Sequence, residues 1–238
     1  MKKYNLLVIA ILIYNFVVAQ KGKEPVDYTA FVNPFIGTGS IDSLSLSGSN
    51  FPGACMPFGL VQLSPDTREY PDDPCSGYDY KDETIVGFSH THLSGTGCPD
   101  LYDFLFMPAG GKIVWNAGSD DGKVKGFRSR FSHENETATP GYYSVLLDDY
   151  KIKAELTATE HCGMHRYTFS DNKPYHLMID LEHSLVKNSP YRWVKILNAQ
   201  VKVVDNKTIE GYRIISGWAK LRKVYFRAEF SRPFTSTI

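Results

Sequence analysis

Along residues 151–159, Ile152, Ala154, Leu156 and Ala158 alternate with polar residues. Residues 176–181 place Leu177, Ile179 and Leu181 on one face, and residues 223–230 do the same with Val224, Phe226, Ala228 and Phe230. A period of two with one wet face predicts antiparallel strands. Turn signals fall between these runs, at Pro140-Gly141 and at Asp205-Asn206. From Phe31 to Asp100 the text differs: glycine, proline and serine interrupt every window long enough for a helix, and short apolar pieces such as residues 59–63 read as strands between long loops. Strands separated by turns, with no helical period, predict an all-β chain, a large antiparallel β-sandwich (supersandwich-like) with long Gly/Pro-rich loops in its N-terminal half. No internal repeat or low-complexity tract interrupts it.

The first residues change the domain count. Lys2 and Lys3 precede an apolar run from Leu6 to Val18, and Val17-Val18-Ala19 offers short residues for cleavage, so residues 1–19 read as a secretory signal peptide. The run is shorter than the roughly 20 residues a membrane span needs. Residues 20–30 read as a mobile arm, leaving 31–238 as one domain within the about 200–250 residues common for β folds. Export makes the protein periplasmic or extracellular, where Cys55, Cys75, Cys98 and Cys162 could form up to two disulfides in any of three pairings, or stay as thiols. The 26 basic and 26 acidic residues are mixed along the chain, which argues against nucleic acid or an anionic membrane as partner. Fifteen tyrosines suit both sheet packing and stacking on sugars.

The chemistry-bearing residues concentrate in GFSHTHLSGTGCPD, residues 87–100. On an extended backbone His90 and His92 would share a face, and with Cys98 or Asp100 they could approach zinc, yet the spacing matches no common zinc pattern. The alternatives are histidines that pin the loop by bonding backbone groups, or a polar ligand pocket in which the glycines admit close approach. Neither Gly37-Thr-Gly39 nor Gly95-Thr-Gly97 continues into a phosphate-binding motif, and G-x-S-x-G is absent. Asp66, Asp72, Asp73, Asp100 and Asp103 are candidate carboxylates by location, but spacing alone nominates no acid and no base.

Ordered blocks then carry a resemblance: VNPFIGTG (32–39), FPGACMPFG (51–59), VQLSPDT (61–67), SGY (76–78) and GFSHTHLSGTG (87–97), followed by Met107-Pro108, PGYY (140–143), HRYTF (165–169) and FSRPF (230–234). The series resembles glycoside hydrolase family 92, exported, calcium-dependent, inverting exo-α-mannosidases, over Phe31 to Phe234. The resemblance implies an N-terminal β-sandwich that packs against a larger helical barrel domain, the barrel holding the catalytic acid, the base and the main calcium ligands. On that implication this chain carries no catalytic residue or metal ligand of its own, and its partners are an α-mannoside or mannose-containing glycan and a helical barrel. The residues it nominates as lining or supporting a sugar pocket are His90, His92, Ser94, Gly95 and Thr96, then Tyr78 and Tyr80, then Thr38 and Gly39. Where the family often has histidine between the two aromatic positions, this chain has Asp79. A stand-alone carbohydrate-binding or scaffold module, and a zinc hydrolase using His90 and His92, are the competing readings.

Overall fold

The computed structural model describes residues 26–39, 47–69, 75–119, 121–184 and 194–237. The signal-peptide reading, and with it Asp72 and Asp73, lies outside the described residues.

The chain divides into two units. In the first, described from residue 26, one 3-10 turn spans Tyr28–Phe31, its start capped by the Asp27 carboxylate, which accepts from the Thr29 amide at 3.0 Å.

The second unit, Asn33–Ile238, holds fourteen strands among its described residues. They are β1 (Ala54–Cys55), β2 (Gln62–Asp66), β3 (Thr84–Ile85), β4 (Gly87–Ser89), β5 (Leu105–Gly110), β6 (Ser129–Arg130), β7 (Glu136–Thr139), β8 (Tyr142–Leu147), β9 (Ile152–Ala158), β10 (Gly163–Phe169), β11 (Tyr175–Asp180), β12 (Lys195–Val203), β13 (Thr208–Ser216) and β14 (Arg222–Glu229). All pairings are antiparallel, in a five-stranded sheet β1-β2-β4-β5-β11, a four-stranded sheet β10-β9-β8-β7, a three-stranded sheet β12-β13-β14 and the pair β3-β6. This is the all-β sandwich that the alternation predicted.

β9 shows why. Ile152, Ala154, Leu156 and Ala158 are buried, and they join Leu63, Phe88, Tyr143, Val145 and Leu147 in one core between the two larger sheets. Burying a side chain such as Leu156 contributes about 1.5–3 kcal/mol. The turn at Pro140-Gly141 joins β7 to β8, with Gly141 at φ +77°. β11 departs from the expected one-sided pattern: Met178 is buried opposite Met107 while Leu177 and Ile179 are half-buried, so both faces are covered. The three-stranded sheet meets the body through Phe226, whose ring lies 4.4 Å from Phe104 and 6.2 Å from Phe106. No disulfide forms: Cys55, Cys75, Cys98 and Cys162 are all unbridged.

Candidate functional site

Three loops meet around Asn50. Its side-chain amide donates to the Ile36 carbonyl at 3.2 Å, its Oδ1 accepts from the Ser94 hydroxyl at 2.7 Å, and its main-chain carbonyl accepts from Ser76 at 2.9 Å. The neighbouring Ser49 carbonyl accepts from the Gly95 amide at 2.8 Å, and the Thr38 carbonyl accepts from the Tyr80 amide at 3.0 Å. Gly37 makes this approach possible: at φ +78°, an added Cβ would sit 2.5 Å from the Asn50 amide nitrogen. Thus Thr38, Gly39, Tyr80, Ser94 and Gly95, far apart in sequence, belong to one rim. Ser94, Gly95, Thr96 and Tyr80 are exposed on it, and Thr38 is buried beneath. Thr96 turns its hydroxyl to the Cys98 amide, 3.2 Å away.

Below the rim lie two buried polar knots. In the first, Asp66 accepts from Nε2–H of His92 at 2.8 Å and of His183 at 2.9 Å, with all three side chains fully enclosed. His92 also donates Nδ1–H to the Gln62 carbonyl at 2.7 Å, and its ring lies 5.0 Å from Phe51. Burial would raise the Asp66 pKa, but the two imidazoles outweigh it and hold the carboxyl at about 2. For His183 burial pulls down and the Asp66 carboxylate pushes up, leaving it raised. Ser89 Oγ reaches His92 too, at 3.2 Å, but on the same Nε2 that Asp66 uses. A serine nucleophile needs its base on the nitrogen opposite the carboxylate, so this trio is structural. Gly77 leaves room for it: at φ +86°, a Cβ there would be 2.5 Å from Asp66 Oδ1.

In the second knot the buried Glu136 carboxylate accepts from Tyr78 at 3.0 Å, Tyr143 at 2.5 Å and His133 at 2.6 Å. Tyr78, fully buried, therefore directs its hydroxyl into the core, and burial followed by the Glu136 charge raises its pKa. His133 in turn stacks on Tyr80, ring centroids 3.9 Å apart and planes 8° apart, so one face of the rim tyrosine is fixed from below.

β4 stops at Ser89, and the alternation that would set His90 beside His92 stops with it. His90 turns instead to β10: its Nδ1–H donates to the Phe104 carbonyl at 2.7 Å, its Nε2 accepts from His165 at 3.0 Å, and Tyr167 donates to His165 Nδ1 at 2.8 Å. Every ring nitrogen of His90 and His165 is thus satisfied with both rings neutral. Burial accordingly lowers His90 to about 4, and lowers His165 well below the ordinary range.

Of the candidate carboxylates that are described, Asp100 and Asp103 are committed elsewhere. Asp100 accepts from the Trp218 amide at 2.9 Å and lies 3.3 Å from Arg222; Asp103 pairs with Arg222 and, at 3.4 Å, Arg213. These contacts anchor a strained stretch in which Leu101, Tyr102 and Phe104 all take positive φ, each costing of order 1–3 kcal/mol. Among the described residues no group of three or more His, Cys, Asp or Glu is arranged to hold a metal ion, so the described residues do not by themselves fit a calcium or zinc site. Asn50 and His183 carry no signal in the sequence, because their side-chain partners lie 14 to 117 residues away; Glu136 has His133 and Tyr143 close by in sequence, but nothing there announces the distant Tyr78.

Residues 31–238 match the family model described as the glycosyl hydrolase family 92 N-terminal domain. An α-mannosidase of family GH92 from Bacteroides thetaiotaomicron, solved with mannoimidazole, is 42% identical with a TM-score of 0.78 over 87% of this chain and 26% of its own. The GH92 family glycosyl hydrolase ccman5 is 27% identical with a TM-score of 0.64, over 84% of this chain and 26% of its own. An uncharacterized secreted glycosidase of Arthroderma benhamiae is 28% identical over 178 residues, 71% of this chain and 20% of the relative. The chain thus spans about a quarter or less of the proteins it matches.

Proposed function

Since the chain belongs to glycosyl hydrolase family 92, as its N-terminal domain, we propose that it forms the sugar-facing wall of an exported α-mannosidase whose bond-breaking groups lie on a separate helical domain. The observation that carries this reading is the rim. Loops from the resemblance blocks converge on Asn50 and leave Ser94, Gly95 and Tyr80 at the surface, while the buried carboxylates among the described residues, Asp66, Asp79, Asp100, Asp103, Glu136 and Glu155, are each bonded to other residues.

On this reading the chain's own residues bind and orient. The Ser94 hydroxyl, oriented by Asn50, and the backbone of Gly95 and Thr96 meet sugar hydroxyls. Tyr80, stacked from below on His133, offers its exposed edge to the leaving-group side. His92 and Tyr78 act at one remove, holding the loops through Asp66 and Glu136, and His90 does so through Phe104. Thr38 and Gly39 position Tyr80 through its main chain. Inversion requires an acid and a base about 6.5–9.5 Å apart around a water, and that pair, with the calcium the family resemblance implies, belongs to the partner domain. The mature chain is periplasmic or extracellular.

The test is reconstitution. The purified chain, alone and co-expressed with the helical domain of a family 92 relative, is assayed for release of mannose from an α-mannobioside. The chain alone should give none and the pair should restore calcium-dependent turnover. Turnover by the chain alone overturns the proposal.

A further inference from the structure

The three-stranded sheet turns one side toward the body, with Ile209, Arg213, Ile215 and Phe226, and the other toward solvent. On the solvent side the register sets Gln200, Tyr212 and Tyr225 in one row across all three strands, and Lys202, Glu210 and Arg227 in the next. These six side chains, with Gly211 and Phe226, line a shallow concavity of about 500 Å³. The two tyrosine rings lie 6.0 Å apart at 47°, and Tyr225 is 67% exposed. Tyr212 is held by its hydroxyl, which donates to Asn198 Oδ1 at 2.9 Å. Arg227 is clamped between Glu210 at 2.6 Å and Glu229 at 3.2 Å.

A large aromatic left this open on a sheet face is the kind of anchor that binding surfaces use, an apolar ring with a wet tip. The rest of the lining selects the ligand. Lys202 and Arg227 offset Glu210 and Glu229, so no strong field of either sign remains to attract a polyanion or a cation. Amide, carboxylate and guanidinium groups beside two rings instead match a molecule with an apolar C–H face and a rim of hydroxyls.

We propose that this face is a second carbohydrate-binding site, taking a neutral, mannose-type oligosaccharide chain by stacking on Tyr225 and Tyr212, with hydroxyls meeting Gln200, Glu210 and Arg227. It shares no residue with the Asn50 rim, and only the choice of a mannose-type chain rests on the proposed function.

Affinity electrophoresis of the purified chain through gels containing soluble α-mannan tests it. The mannan should retard the wild type, and a polygalacturonate gel should not. Tyr225→Ala should weaken retardation at least tenfold, while Tyr225→Phe, which keeps the ring, should leave it; Ser94→Ala reads the rim's own share. Equal urea midpoints for the three variants show that the fold is intact. Retardation lost with Ser94→Ala and kept with Tyr225→Ala would locate all glycan binding at the rim and overturn this site while sparing the proposed function. Absence of retardation, stronger binding to the polyanion, or a concentration-dependent dimer abolished by Tyr225→Ala would each overturn it.

Discussion

Acid should loosen this domain through one small group of atoms. His90 and His165 are neutral in the fold because each ring nitrogen already has a partner suited to the neutral form. Unfolded, both histidines take up protons near pH 6.5, whereas folded His90 resists until about 4. A depressed pKa contributes stability that is fully present above the unfolded value and is lost as pH falls through the folded one. The gap of about 2.5 pH units corresponds to about 3.4 kcal/mol at most, at 1.36 kcal/mol per unit. The His90 residue is only half-buried, so about 2 kcal/mol is the working expectation. That is a large share of the about 5–15 kcal/mol that holds a typical domain together. His183 stays outside this window: its raised pKa gives stability already complete below pH 6.5, lost as pH rises through the folded value. Asp66, held at about 2, loses its share only below about pH 4. Urea unfolding followed by tryptophan fluorescence between pH 7 and 4.5 should therefore show a falling midpoint in the wild type. In the double variant His90→Asn, His165→Phe the slope should be largely gone, whatever its stability at pH 7. Equal slopes in the two proteins would refute the assignment.

Asp66→Asn puts an amide N–H against one of two imidazole donors and should cost about 3–5 kcal/mol, read as a lowered urea midpoint at pH 7; a loss below 1 kcal/mol would mean that the knot is slack. Asn50→Ala removes the amide bond to Ile36 and the acceptor of Ser94, about 1–3 kcal/mol, and should speed amide hydrogen exchange in both residues 36–39 and 94–96, whereas exchange confined to one loop would disprove the shared anchor. Phe58 takes φ +62° and is wholly exposed, so Phe58→Gly should raise the melting temperature by a few degrees, a gain of up to about 1 kcal/mol, and a fall would show that the ring has a partner.

The sandwich was legible because its cause is local: alternation in β9 and β14, and turn chemistry at Pro140-Gly141, act over a few residues. The end of β4 at Ser89 was not. Nothing in Ser89-His90-Thr91-His92 announces that the backbone leaves the strand there, since what turns His92 away is Asp66, 26 residues earlier, and what draws His90 is His165, 75 residues later. Tyr78 reads equally well as a surface stacker or a core hydroxyl until Glu136, 58 residues on, is seen beneath it. The family resemblance located the rim loops as blocks, but the residue that ties them, Asn50, lies just outside the quoted runs.

Because a single amide side chain rivets segments from three regions, the rim behaves as one plate rather than as independent fingers. A ligand that displaces Ser94 tugs on Ile36 through the same two atoms of Asn50, so sugar-contacting positions in these segments would have to drift together in evolution, and specificity would be retuned by exchanging the plate whole.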